Sequence, residues 1–226
     1  YSMGGLWVDY NHMTNIPGLF AAGECDYQYH GANRLGANSL LSAIYGGMVA
    51  GPKAIEYIKG LKKSAADIPS SVFEREKKKR TEQYESILRM DGYENPYQLH
   101  KELGEWMTDN MTVVRYNKKL EETIHKIKEL KERYQKIGVP DTSKWSNQGA
   151  PFTRQLWNML ELAEAMTKGA LLRNESRGAH YKPEFPERDD QNFLKTTMAS
   201  YTPDGPVITY EDVDVSLIPP RQRDYT

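Results

Sequence analysis

The chain has 226 residues, with 30 Lys and Arg against 31 Asp and Glu, and a formal net charge of -1 excludes any general attraction to nucleic acid. One cysteine, Cys25, excludes an internal disulfide framework and suits a reducing compartment. No apolar run approaches the roughly 20 residues that span a bilayer, and no signal peptide is legible, so membrane attachment would come through a partner.

The length allows one large domain or two small ones around a real core. Residues 6 to 9 (Leu-Trp-Val-Asp) and 19 to 22 (Leu-Phe-Ala-Ala) have strand composition, separated by a polar loop with a Pro17-Gly18 turn. Glu24 follows the second. A carboxylate at the carboxyl end of a buried strand is where open α/β sheets place ligand-binding groups, and a ribose or ribityl hydroxyl would suit it; a surface turn glutamate has the same spelling.

The stretch Tyr29 to Gly51 organises the rest. Its first half is rich in Gly, Asn and Ala around Arg34, and its second half is an apolar run behind Asn38 and Ser39, both good N-cap types. The spacing predicts a loop feeding a helix from Asn38 to about Lys59, with Gly46, Gly47 and Gly51 set for close packing. Small residues let a ligand approach the backbone N–H groups of the helix start, and Arg34 adds a bidentate, always-charged donor. That describes an anion site against a flat or phosphorylated ligand. It equally describes a surface loop whose arginine sits in water, and spacing alone does not choose. Strand, Gly-rich loop and helix suggest a nucleotide-binding fragment, short of a full Rossmann unit because the first phosphate-binding βα turn is missing.

Residues 61 to 70 read as a Lys, Ser, Ala and Pro linker, and charged amphipathic segments follow at about 71 to 90, 96 to 109, 112 to 137 and 153 to 173. In the third, Val113, Tyr116, Leu120, Ile124, Ile127, Leu130, Tyr134 and Ile137 share one helical face; in the fourth, Leu156, Leu160, Ala163, Met166 and Ala170 do. This is a helical bundle. Lys77, Lys78, Lys79 and Arg80 read as a solvated helix face. His100 and His125 have no partner at metal spacing, so no metal site is expected. Residues 173 to 190 place four arginine or histidine side chains and five carboxylates in 18 positions. The grouping of Arg173, Glu175, Arg177, His180, Arg188 and Asp189 suits either a flexible charged loop or a buried ion network fixing two domains. Phe193 to Tyr201 and Val207 to Val215 read as two strands around a Pro-Asp-Gly turn.

The runs M-G-G-L-W-V-D, I-P-G-L-F-A-A-G-E, H-G-A-N-R-L-G-A-N-S-L-L, R-N-E-S-R-G-A-H and E-R-D-D, in this order over nearly the whole chain, resemble the flavoprotein subunit of succinate dehydrogenase and fumarate reductase, most closely the bacterial menaquinone-linked type. The resemblance implies an α-rich α+β chain: residues 1–60 the C-terminal piece of a Rossmann-like FAD-binding domain, 61–190 a helical bundle domain, and 191–226 a strand-rich tail. It implies FAD as cofactor, with Glu24 on the ribityl chain and Ser39 and Leu40 beside the ring. Arg34 would clamp a carboxylate of succinate or fumarate for hydride transfer. An iron-sulfur subunit and, indirectly, a membrane-anchor cytochrome b subunit are the implied partners, placing the protein peripherally on the cytoplasmic face of the cell membrane.

The same resemblance implies that the chain is a fragment. A substrate-binding histidine would fall just before Tyr1, with the FAD-linking histidine and a proton-donating arginine further upstream, and the chain alone would neither retain FAD nor turn over. Two alternatives stand beside it. L-aspartate oxidase shares the arginine and E-S-R-G elements, although W-V-D-Y and A-I-Y-G-G argue against it, and a purely structural helical module docking an iron-sulfur subunit would also explain residues 61 to 190.

Overall fold

The computed structural model describes residues 2–221. Five helices, α1 (Asn38–Gly60), α2 (Ser70–Leu88), α3 (Pro96–Met111), α4 (Asn117–Tyr134) and α5 (Gly149–Leu172), precede a single helical turn, Asp190–Phe193, and a hairpin of β1 (Lys195–Ser200) and β2 (Val207–Asp212). The chain divides into two compact units. One runs up to Glu82 and takes in Arg177–Ala179; the other comprises Gln83–Ser176 and the residues from His180 on.

In the second unit the amphipathic pattern folds as its periodicity predicts. Asn95 caps α3, its side chain accepting the Tyr97 N–H at 2.9 Å, and Pro96 stands at the first position, where a missing N–H costs nothing. Leu99 and Leu103 of α3, Ile127 and Leu130 of α4, and Leu156, Leu160 and Ala163 of α5 form one buried cluster with Ile137 and Val139. Each fully buried leucine or isoleucine contributes roughly 1.5–3 kcal/mol of transfer free energy. Tyr134 closes the cluster by donating its hydroxyl to the Thr153 carbonyl at 3.1 Å. At its edge the Arg133 guanidinium forks onto Glu94 and Glu102, holding the Glu102 carboxyl down at about 2, while Lys131 reaches Glu161 and Glu164 of α5.

The segments after α2 and α4 lie backbone to backbone. Gly92 N–H donates to Ile137 O at 3.1 Å, Glu94 N–H to Lys136 O at 2.9 Å and Gly138 N–H to Glu94 O at 3.0 Å. A Cβ on Gly92 would stand 2.0 Å from Lys136 O, and one on Gly138 2.2 Å from Gly92 O. Both glycines are required by this approach.

Several expectations need correction. Residues 6–9 and 19–22 are not strands: only Leu6 with Asp26 and Met13 with Phe20 form single bridges, and a strand exists through a ladder these segments do not build among the described residues. Helix α4 begins at Asn117, so Val113 and Tyr116 precede it and are exposed, and Met166 of α5 faces outward. Helix α5 starts earlier than expected, at Gly149. The linker 61–70 contains a 3₁₀ turn, Ala65–Asp67, closed by a capping box between Ser64 and Asp67. Within the range expected for the strand pair, β1 and β2 pair antiparallel from Lys195 with Asp212 to Ser200 with Val207, around a turn closed by Gly205 N–H to Thr202 O at 3.1 Å. Lys77, Lys78, Lys79 and Arg80 lie exposed on α2, where Arg80 pairs with Glu76 one turn back.

Helix α1 buries a narrow stripe of small residues, Ser42, Gly46 and Ala50, at four-residue spacing. A Cβ on Gly46 would meet Tyr29 Oη, Gly23 N and the Ala22 Cβ at 3.1 to 3.3 Å, whereas Gly47 and Gly51 face open space rather than the close packing expected of them. The large apolar residues Leu40, Leu41, Ile44, Tyr45, Met48, Ile55 and Ile58 are exposed.

Candidate functional site

The site is assembled on the loop from Tyr29 to Ala37 and the start of α1. Gly31 takes a positive φ of 52°, and Asn33 N–H closes a turn onto His30 O at 3.2 Å. The N-cap is Ala37, not Asn38 or Ser39: Ala37 sits at φ 64°, a left-handed conformation that costs an alanine about 1 kcal/mol, and no side chain caps the helix. Asn38 and Ser39 lie within the first turn, where their side chains do not reach back to the orphan donors. The first turn therefore presents backbone N–H groups, Ser39 and Leu40 among them, without a capping oxygen. A strained left-handed alanine held at such a position is the kind of outlier found at ligand clamps.

Arg34 is half-buried on this loop. Its backbone N–H points at the Met3 Sδ, 2.9 Å away, and its guanidinium donates to Leu35 O at 3.2 Å. Glu24 lies in a 3₁₀ turn, Gly23–Cys25, that packs against α1 through Gly23 and Ala43, and its Oε1 accepts the Ser2 N–H at 2.6 Å. Ser39 is half-buried, and its carbonyl accepts the Ser42 hydroxyl at 2.9 Å; Leu40 beside it is exposed. Arg34, Ser39 and Leu40 thus share one loop and helix start, and the turn carrying Glu24 abuts the same helix.

Sequence reading missed the layer beneath. His12, 1% exposed, donates from Nδ1 to Ala21 O at 3.0 Å and accepts the Tyr29 hydroxyl at Nε2 at 2.5 Å. The buried Asp26 Oδ2 accepts no hydrogen bond and lies 3.6 Å from His12 Nδ1. His12, itself tied to Ala21 O, therefore anchors Tyr29, the residue that opens the loop. Next to it, His30 Nε2 lies 3.1 Å from Ser42 Oγ on α1. The loop's middle is held by a contact from far along the chain: Ala179 N–H donates to Ala32 O at 2.9 Å, beside Gly178 at φ 59°.

In the second unit, the charged cluster after α5 is an ordered network. The carboxylate of the fully buried Glu175 takes the Arg173 guanidinium at 2.5 Å and the Asp189 N–H at 3.0 Å, and Arg188 pairs with Asp190 at 2.8 Å. His180 accepts Arg115 Nη1 at its Nδ1 (2.6 Å) and donates from Nε2 to Arg173 O (2.9 Å); burial, with cationic neighbours adding to it, pushes it down to about 4. Lys182, fully buried, donates to Leu171 O and Asn174 Oδ1, and burial pushes its ammonium down to about 8. A cleft of about 860 Å³ also lies in this unit, lined by the Met90–Tyr97 segment and by Gly138, Val139 and Pro140. Its Glu94 is already committed to Arg133, and it contains no other basic group than Arg89, so the chemistry is better sought at the Arg34 loop. Among the described residues no group of three or more His, Cys, Asp or Glu is disposed to hold a metal, and no helix is long and apolar enough to cross a membrane.

Residues 100–225 match the family described as "Fumarate reductase flavoprotein C-term", and residues 1–40 match "FAD binding domain". The succinate dehydrogenase flavoprotein subunit of Bacillus subtilis is 66% identical over the whole of this chain, and the Escherichia coli fumarate reductase flavoprotein subunit 37%. Among solved structures, a variant of E. coli quinol fumarate reductase FrdA superposes with a TM-score of 0.91 at 36% identity, covering 98% of this chain and 38% of that one. Mycobacterium smegmatis Sdh1 superposes with a TM-score of 0.80 at 31% identity, covering 98% of this chain and 36% of that one. The chain spans 39% of the length of the B. subtilis relative and 37% of the E. coli one.

Proposed function

Because this chain belongs to the succinate dehydrogenase and fumarate reductase flavoprotein family, we propose that it is the part of such a subunit that clamps a dicarboxylate against FAD, in an oxidoreductase interconverting succinate and fumarate. The single observation that carries this reading is a half-buried arginine held on a turn of small residues, three positions ahead of an N-cap, Ala37, at which no side chain caps the helix.

The residues present fit the cofactor. The first turn of α1 offers Ser39 and Leu40 N–H donors without a capping side chain, and a Cβ at Gly31 or Gly36 would meet nothing within 4 Å, so the backbone is approachable on both sides of Arg34. Glu24 supplies an acceptor for a ribityl hydroxyl. When bound, FAD supplies the hydride acceptor or donor. Arg34 binds one substrate carboxylate through two parallel charge-assisted hydrogen bonds and fixes the carbon skeleton at near-attack distance. Its charge also draws density into that carboxylate as negative charge develops on the adjacent carbon.

The names of the relatives favour this reading over an aspartate oxidase and over a purely structural module. The partners we infer are an iron-sulfur subunit and, through it, a membrane-anchor cytochrome b subunit, with the protein peripheral on the cytoplasmic face of the cell membrane. The residue ranges 1–60, 61–190 and 191–226 remain our division into FAD-domain piece, bundle and tail.

The test is Arg34→Ala in the full-length flavoprotein, assayed with succinate and a dye acceptor. A fall of about 100-fold or more in kcat/KM, with kcat falling too, is expected for loss of an orienting contact. A change confined to KM would mean that Arg34 binds without orienting, and unchanged kinetics would remove it from the site.

A further inference from the structure

Resting on the reading of Arg34 above, we propose that Gly178 and Ala179 are positioning residues for that arginine: together they pin the carbonyl of Ala32, two residues ahead of it, and so set where the guanidinium points.

The loop needs such a pin. Gly31 and Gly36 flank Ala32 and Arg34, and at both a Cβ would meet nothing within 4 Å, so no neighbour packs where their side chains would stand. The Arg34 N–H has the Met3 thioether as its partner, a weak acceptor. The Ala32 carbonyl accepts the Ala179 N–H at 2.9 Å, and this is a full backbone hydrogen bond from a remote segment. The donor comes this close only because the residue before it has no side chain. A Cβ at Gly178 would stand 2.4 Å from Ala32 O, 2.6 Å from its carbonyl carbon and 2.9 Å from its Cβ, and the backbone there is left-handed at φ +59°. The three residues Arg177–Ala179 group with the loop's unit although the chain on either side of them groups with the other. The turn is thus part of the arginine's support.

Any side chain at Gly178 must push Ala32 back from 2.4 Å to ordinary contact at 3.4 Å or more, a displacement of about 1 Å delivered two residues from Arg34. A misplacement of this size at a substrate-orienting group costs on the order of 100-fold in rate. Gly178→Ala in the full-length flavoprotein, assembled with its partners, should therefore lower kcat/KM for succinate by about 100-fold with kcat carrying much of the loss. In an Arg34→Ala background the same change should cost less than about 3-fold, since an arginine that is absent cannot be misaimed.

One measurement, made on the wild-type protein, keeps the proposal falsifiable if Gly178→Ala yields no folded protein. Flavin absorbance and thermal unfolding report whether the variant is intact. In the wild-type protein, saturating succinate should slow hydrogen exchange at the Ala179 amide, as the bound diacid stiffens the loop that accepts it, and leave the Tyr181 amide, bonded to Val113 O at 3.1 Å, unchanged. Equal losses from Gly178→Ala with and without Arg34, or no change at Ala179 under saturating succinate, would overturn the positioning role while leaving the dicarboxylate reading intact. Normal turnover by Arg34→Ala would remove both.

Discussion

His180 should make the second unit acid-sensitive well above the range in which carboxylates titrate. The ring is 8% exposed, and both nitrogens are committed: Nδ1 accepts from the Arg115 guanidinium, so it holds no proton, and Nε2–H donates to Arg173 O. A proton arriving at Nδ1 would face a guanidinium 2.6 Å away and meet the charges of Lys182 and Arg173 as well, in a site already poor in water. With the folded value near 4 and an ordinary value of 6.5, the unfolded chain takes up the proton first as pH falls. The stability is then fully present above pH 6.5 and is lost progressively down to about 4. The interval of about 2.5 at about 1.36 kcal/mol per pH unit amounts to about 3 kcal/mol. Denaturant unfolding of the full-length protein between pH 7 and 4 measures this against His180→Gln, which keeps a donor and an acceptor but cannot titrate. The difference between the two should grow in the variant's favour as pH falls. Parallel loss in both proteins, or a His180 that titrates at 6.5 or above by NMR, would refute the reasoning.

The core and the backbone approach make further predictions. Leu160→Ala, at a position with no exposure in the cluster joining α3, α4 and α5, should cost about 2–5 kcal/mol in urea unfolding, and a cost below 1 kcal/mol would mean the bundle collapses around the cavity. Gly92→Ala should cost more than about 4 kcal/mol or abolish folding, because its Cβ would overlap Lys136 O at 2.0 Å and break the ladder to Ile137 and Lys136; Gly104→Ala, inside α3 with nothing within 4 Å, should instead raise the unfolding free energy by up to about 1 kcal/mol. Equal behaviour of the two glycine variants would sink the argument from close approach.

The bundle was legible because its signal is periodic and local. Leu120, Ile127, Leu130 and Tyr134 recur on one face of α4 whatever they pack against, and the Thr202–Gly205 turn carries its own chemistry. The errors fall where periodicity has no purchase. Val113 and Tyr116 continue the spacing of the α4 stripe, yet the backbone between Thr112 and Tyr116 leaves the helix so that Arg115 N–H can bond Tyr181 O. Residues 6–9 and 19–22 have strand composition, but composition describes what a side chain tolerates, and a strand also needs neighbours along its whole length.

The Arg34 loop was readable in kind and unreadable in construction. Gly31, Asn33 and Gly36 announce a turn, and an arginine among them announces an anion. What keeps that turn in place comes from three parts of the chain with no spacing rule between them. Ala179 reaches Ala32 from beyond α5. His12, which looks like one more polar residue in the Tyr10–Gly18 loop, lies buried against Tyr29 at 2.5 Å and beside Asp26. Tertiary contacts of this sort hold the loop, while the side-chain cap expected from Asn38 or Ser39 is absent. Were either of those residues the true cap, its oxygen would occupy the first-turn N–H groups, and a ligand would have to displace it. Setting Ala37 at φ 64° instead costs about 1 kcal/mol of backbone strain and leaves those donors uncapped beside Arg34, an arrangement more readily explained by binding than by stability.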